Sequence, residues 1–119
     1  MIRVAQRFEF AAAHFLPLVA DGHKCKRMHG HNYTVEIVCE GPLSNGMVID
    51  FEDIIAAWKP LHEMLDHTLL NDHAMLDNPT CEELAAWLWE SLRHKLPLYA
   101  LRVSEGLGSW CEVDRTRVA

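Results

Sequence analysis

The sequence predicts an α+β fold, ordered strand, strand, helix, helix, strand, strand, with a small antiparallel sheet. Three observations predict it. Apolar and polar residues alternate near both ends of the chain. Two central stretches instead repeat apolar residues at helical spacing. Turn-forming residues, "GPLSNG" and Gly106 to Gly108, punctuate the strands.

In the first strand Ile2, Val4, Phe8, Phe10 and Ala12 fall on one face, with Arg3, Arg7 and Glu9 between them. Tyr33, Val35, Ile37 and Cys39 repeat the pattern, with Asn32, Thr34, Glu36 and Glu40 opposite. After the "GPLSNG" turn, "MVIDF" reads as a short extended piece. Asp50 can cap a helix whose Ile54, Trp58, Leu61 and Leu65 share a face, although Pro60 should kink or break it. The second helix is announced by Thr80 and Glu83, the spacing of a capping box. Leu84, Leu88 and Leu92 line its apolar face, and Arg93, His94 and Lys95 suit its last turn. Tyr99 to Glu105 and Ser109 to Arg117 complete the strands. Four strands leave two open edges, which oligomerisation would cover.

At 119 residues the chain is expected to form one domain, 1–119. A net charge of −6 argues against a nucleic-acid partner. Lys24, Lys26 and Arg27 form the one basic cluster, better suited to a small anion. No apolar run approaches the ~20 residues that span a bilayer, so no membrane role is expected. Phe10 to Ala20 is apolar, but Glu9, His14 and Pro17 interrupt it, and it reads as strand rather than secretion signal. Cys25, Cys39, Cys81 and Cys111 are widely spaced and form no C-x-x-C pair. Reduced thiols and a cytoplasmic location are therefore expected.

Strand parity carries the functional argument. His14 continues the apolar face of the first strand, and His29 and His31 begin that of the second. In an antiparallel pair the three would meet at one edge of the core. Residues two apart on a strand stand about 6.8 Å apart on one face. Two imidazoles can then lean onto one ion at about 2.1 Å, while Gly30 leaves room. Three neutral nitrogens without an obvious fourth ligand suit zinc with an open position, the pattern of a catalytic site. His23, His62, His73 and His94 lack such support and read as surface or capping residues.

Cys25 lies in the loop between the histidine strands. It is either a fourth ligand, which would close the site, or a free thiolate favoured by its basic neighbours. Glu105 continues the apolar face of the third strand, where it either meets a cation or donor-rich ligand or escapes to solvent. Asp66 either orients His67 or is simply its loop neighbour. The other cysteines read as ordinary buried thiols.

The segments "FEFAAAH", "GHKCKRMHGH", "VIDFEDI", "LDHTLLND", "NPTCEELAAWLW" and "VSE" together resemble the 6-pyruvoyltetrahydropterin synthase family over nearly the whole chain. The Cys-x-x-x-His-Gly-His spacing is similar to that of its bacterial 6-carboxytetrahydropterin synthase branch, in queuosine biosynthesis. Gly106, where the family usually has threonine, and the tail "GSWCEVDRTRVA" depart from the pattern.

The resemblance implies the tunnelling fold (T-fold), a four-stranded antiparallel sheet with two helices on one face, assembled as a homohexamer of two stacked trimers with sites between subunits. It implies zinc on His14, His29 and His31. It implies Cys25 as proton acceptor, and His67, oriented by Asp66, and Glu105 as relay groups. Glu105 also grips the pterin, and Thr80 is a further substrate-binding position. The implied substrate is 7,8-dihydroneopterin triphosphate, converted to 6-carboxytetrahydropterin, acetaldehyde and triphosphate. The same scaffold could instead make the 6-pyruvoyl product or cleave sepiapterin. A non-catalytic Cys-His₃ zinc protein is the rival of another class.

Overall fold

The computed structural model describes residues 1–116. Alternation at the amino end builds β1, Ile2–His14, which runs antiparallel to β2, His29–Gly41. Their register joins Ile2 to Gly41 at one end and His14 to His29 at the other. A 3-10 turn, Lys24–Lys26, lies in the connection. β4, Leu98–Glu105, pairs antiparallel with β2, and β5, Ser109–Asp114, with β4. Arg117, the predicted end of that last strand, lies outside the described residues.

The sheet has five strands rather than four. The fifth is β3, Thr68–Leu69, which pairs parallel with Ala12 and Ala13 of β1, giving the order β3-β1-β2-β4-β5. Two residues carry no period, so alternation could not announce it.

Helix α1, Phe51–Leu65, starts where Asp50 accepts a hydrogen bond from the Glu52 N–H at 2.9 Å. It buries Ile54, Ala57, Trp58 and Leu65. Pro60 does not break it. Ala56, whose carbonyl the proline leaves without a helical partner, is exposed, so water can replace the lost bond. "MVIDF" is not extended either: Met47 bridges back to Ser44 in a turn, and Phe51 already begins the helix.

Helix α2, Cys81–Leu92, is capped by Thr80, whose Oγ1 accepts from the Glu83 N–H at 3.0 Å. The basic triplet lies beyond its end, with Arg93 as the C-cap. Leu84, Leu88 and Leu92 are fully buried, as their spacing predicts. The helices pack on the sheet face formed by Phe10, Tyr33, Val35, Ile37, Leu101 and Val103. Phe10 stacks on Tyr33 with ring centroids 4.9 Å apart, and Phe8 on Trp58 at 5.2 Å, which docks α1 against the hairpin. The opposite face carries cross-strand ion pairs, Arg3 with Glu40, Arg7 with Glu36 and Arg102 with Glu112.

Candidate metal centre

The β1–β2 register delivers the three histidines to one point. His14 stands opposite His29, and His31 opposite Ala12 on the same face. One ring nitrogen from each lies within 4.8 Å of the others, and this is the one such cluster of possible metal ligands among the described residues. The rings meet edge to face, with centroids 4.5 to 5.0 Å apart.

Hydrogen bonding fixes the tautomers. His14 Nδ1 lies 2.8 Å from the Pro79 carbonyl, and His29 Nδ1 lies 2.8 Å from the Arg27 carbonyl. A carbonyl only accepts, so both Nδ1 atoms carry hydrogen. In the neutral rings both Nε2 atoms are then lone pairs, and they face each other at 3.0 Å. Glu105 Oε2 adds negative charge 3.6 Å from His14 Nε2 and 3.7 Å from His31 Nε2. Such an array could hold a cation at its centre. A proton on His14 is disfavoured, because burial pushes this ring, only 1% exposed, below the ordinary imidazole range despite the Pro79 bond and nearby Glu105. A metal ion fits the donor set, and the two carbonyls are the outer partners that orient ligating imidazoles.

The histidines open onto a cavity of about 470 Å³ that Leu16, Lys24, Cys25, Glu105 and Ser109 also line. Cys25 is therefore beside the cluster without belonging to its ligand set. Two contacts hold it there: its carbonyl accepts from the Leu16 N–H at 2.8 Å, and its N–H donates to His23 Nδ1 at 3.0 Å. The basic cluster does not act as a unit. Lys24 lines the cavity, whereas Lys26 Nζ turns away to Asp21 at 2.7 Å and the Val19 carbonyl at 3.2 Å.

Asp66 and His67 are paired, but elsewhere. Asp66 Oδ2 lies 2.8 Å from His67 Nδ1, while Oδ1 accepts from the Ala11 N–H at 2.9 Å. The His67 N–H in turn donates to the Ala11 carbonyl at 2.6 Å, holding His67 at a φ of 59°. A non-glycine residue in that region is uncommon, and such strain concentrates at functional sites. The exposed imidazole reaches a second cavity, about 500 Å³, that His31 and Gly30 also line. Within one chain, His67 does not line the cavity of Cys25. Thr80 is absorbed in capping α2, next to the Pro79 that anchors His14.

The bond from Ala11, and then that from His67, hold the Asp66 carboxyl below the usual 3.8. A depressed folded value favours the ionised form, so its stabilisation is present above the unfolded value and is lost as pH falls through the folded one. Asp66→Asn should therefore melt below the parent at neutral pH, and the gap should close in acid. Thermal melts of both proteins from pH 7 down to about pH 2.5 check this.

Sequence reasoning missed several supports. Asn71 braces Phe15, beside His14, by accepting from its N–H at 3.0 Å and donating to its carbonyl at 2.8 Å. The buried Tyr33 hydroxyl lies 3.3 Å from His14 Nδ1. Pro79 contributes through its backbone, which no residue pattern announces.

Fold and site together define the class: a small α+β chain whose antiparallel sheet gathers, at one end, three histidines able to hold a metal ion. The family profile described as 6-pyruvoyl tetrahydropterin synthase matches residues 3–116, and the chain belongs to that family. The family's enzymes are lyases that act on pterins. A Synechocystis relative named 6-carboxy-5,6,7,8-tetrahydropterin synthase is 38% identical over 96 residues, covering 75% of this chain and 73% of its own. A Pyrococcus furiosus relative named dihydroneopterin monophosphate aldolase is 35% identical over 95 residues, covering 80% and 78%. The Caenorhabditis elegans 6-pyruvoyl tetrahydropterin synthase structure superposes with a TM-score of 0.87 at 23% identity, covering 95% and 94% of the two chains. This last likeness shows the shared T-fold. No helix among the described residues is long and apolar enough to cross a membrane.

Proposed function

We propose that the chain is a zinc-dependent 6-carboxy-5,6,7,8-tetrahydropterin synthase of queuosine biosynthesis, acting in the cytoplasm on 7,8-dihydroneopterin triphosphate. The facing Nε2 lone pairs of His14 and His29, with a thiol in the same cavity, carry the proposal. The short Cys-x-x-x-His-Gly-His spacing and the Synechocystis relative support the carboxy branch.

His14, His29 and His31 would hold the ion, and zinc there would supply Lewis-acid polarisation of the substrate's side-chain hydroxyls. Glu105 accepts the paired N–H donors of the pyrimidine edge, a geometry that a carboxylate matches with both oxygens. Cys25 Sγ removes the proton from side-chain carbon. His67, kept in one orientation by Asp66, moves protons on the opposite side of the substrate. Each well-placed acid or base contributes roughly 10²–10⁴ in rate. Thr80 has its hydroxyl committed to the helix cap, so its part in substrate binding is through the segment that it fixes.

His67 and Cys25 open onto different cavities of one chain, which fits a site completed between subunits. A homohexamer built from two trimers would achieve this. It would also cover the open edges at β5 and along β1, of which β3 protects only Ala12 and Ala13.

The Pyrococcus relative, and Lys24 as the one lysine lining the histidine cavity, favour one second reading, aldol cleavage of the monophosphate. Product analysis by mass separates the two. Incubation of the zinc-loaded protein with dihydroneopterin triphosphate should yield 6-carboxytetrahydropterin and acetaldehyde. Turnover of the monophosphate alone would support the aldolase, and a 6-pyruvoyl product without acetaldehyde would contradict both.

A further inference from the structure

Two thiols unrelated to the proposed reaction meet behind the metal centre. Cys81 opens α2 and Cys111 lies in β5, and their Sγ atoms are 3.2 Å apart. Cys81 Sγ also lies 3.3 Å from the Val103 carbonyl, and Val103 is the β4 residue that pairs with Cys111. The start of α2 is thus seated directly over the β4–β5 ladder, so the sulfurs are held together by register and helix docking. A disulfide bond is about 2.05 Å long, so closure needs a shift of only ~1.2 Å.

We propose that Cys81 and Cys111 are a reversible thiol–disulfide pair, closed by a hydroperoxide and reopened by a thiol reductant, that staples α2 to the sheet edge. The pair differs from the other cysteines in three ways. Cys111 is partly exposed in the single chain, which leaves an oxidant a path to it before or apart from assembly at the β5 edge, whereas Cys39 is fully buried and burial pushes its thiol up to about 11. The two sulfurs touch, and the partly exposed Cys111 is the attacking sulfur while the buried Cys81, 8% exposed, is the resolving one. Cys25 lines the histidine cavity, away from this contact, so its oxidation gives a different product.

The chemistry balances with one peroxide. The Cys111 thiolate attacks a peroxide oxygen, the O–O bond breaks, and the leaving hydroxide takes a proton to become water. Cys81 then attacks the Cys111 sulfenic sulfur, the S–O bond breaks, and the departing hydroxide leaves as water with the Cys81 proton. Two thiols and one hydrogen peroxide become one disulfide and two waters.

The staple links the segment just after Pro79, which anchors His14, to the strand paired with that of Glu105. The cystine would close a loop from residue 81 to 111, and such a cross-link should raise the thermal midpoint by about 10 °C.

The test rests on no part of the proposed activity. The reduced full-length chain is treated with hydrogen peroxide, alkylated with iodoacetamide, digested and mapped by mass, with a thermal melt of the undigested sample. Expected are a Cys81–Cys111 linked peptide, lighter by two hydrogens than the two thiol peptides, and a higher midpoint that dithiothreitol reverses. Cys111→Ser and Cys81→Ala should each lose both the link and the shift. Recovery of both residues as alkylated thiols overturns the proposal, as does a cystine that leaves the midpoint unchanged.

Discussion

His29→Ala is expected to abolish metal binding and reduce turnover to background. His29 is the best ligand to remove because it is only partly buried, whereas loss of the buried His14 would also leave a hole in the core. Loss of an outer partner of a ligand typically costs 10–100-fold in affinity, and loss of one of three direct ligands should exceed that. Competition with a chromophoric zinc chelator reads this out. The same substitution removes one of the two lone pairs that face each other at 3.0 Å. Relief of that contact offsets the lost His29 bond to the Arg27 carbonyl, which is exposed, so the metal-free variant should be close in stability to the metal-free parent, by urea unfolding. Marked destabilisation of that variant would mean that the contact is a hydrogen bond between imidazoles, and the argument for an ion would lose its basis.

The second large effect is expected at Cys25. Cys25→Ala should lower kcat by roughly 10²–10⁴, the usual contribution of a positioned base, while full metal content is retained. The reasoning is geometric: Cys25 shares the histidine cavity but not the tight set of ligand atoms. Its position depends on His23 Nδ1 and the Leu16 N–H rather than on an ion. Elemental analysis beside steady-state rates separates a base from a ligand. Loss of metal together with activity would make Cys25 a ligand.

Much of this was legible in the sequence, because strand parity is a strong constraint. Once β1 and β2 are recognised as half-buried strands, the period of two puts His14, His29 and His31 on the core face, and antiparallel pairing brings their ends together. The same parity puts Glu105 on this face, and in the fold it pairs with Tyr33 across β2 and β4. Helix α2 was legible because its cap and its leucine spacing agree. Parity describes one chain face at a time, however, and contacts between distant segments stay hidden. The carbonyls of Pro79 and Arg27 bear no signature in residue type. Asn71 looks like any polar loop residue until the fold brings it to Phe15. The short strand β3 follows directly on Asp66 and His67, both tied to Ala11, the first by a bond across 55 residues. Pro60 misled for the opposite reason: its penalty is real, but it falls on a face of α1 that water reaches.

The central claim is a metal held by three imidazoles with Cys25 close by but unbound, and X-ray absorption of the zinc-loaded protein tests it most directly. The account predicts three imidazole nitrogens and one oxygen at about 2.0–2.1 Å, with no sulfur shell. A sulfur at about 2.3 Å would contradict it, because Cys25 would then complete a closed site with no position left for substrate.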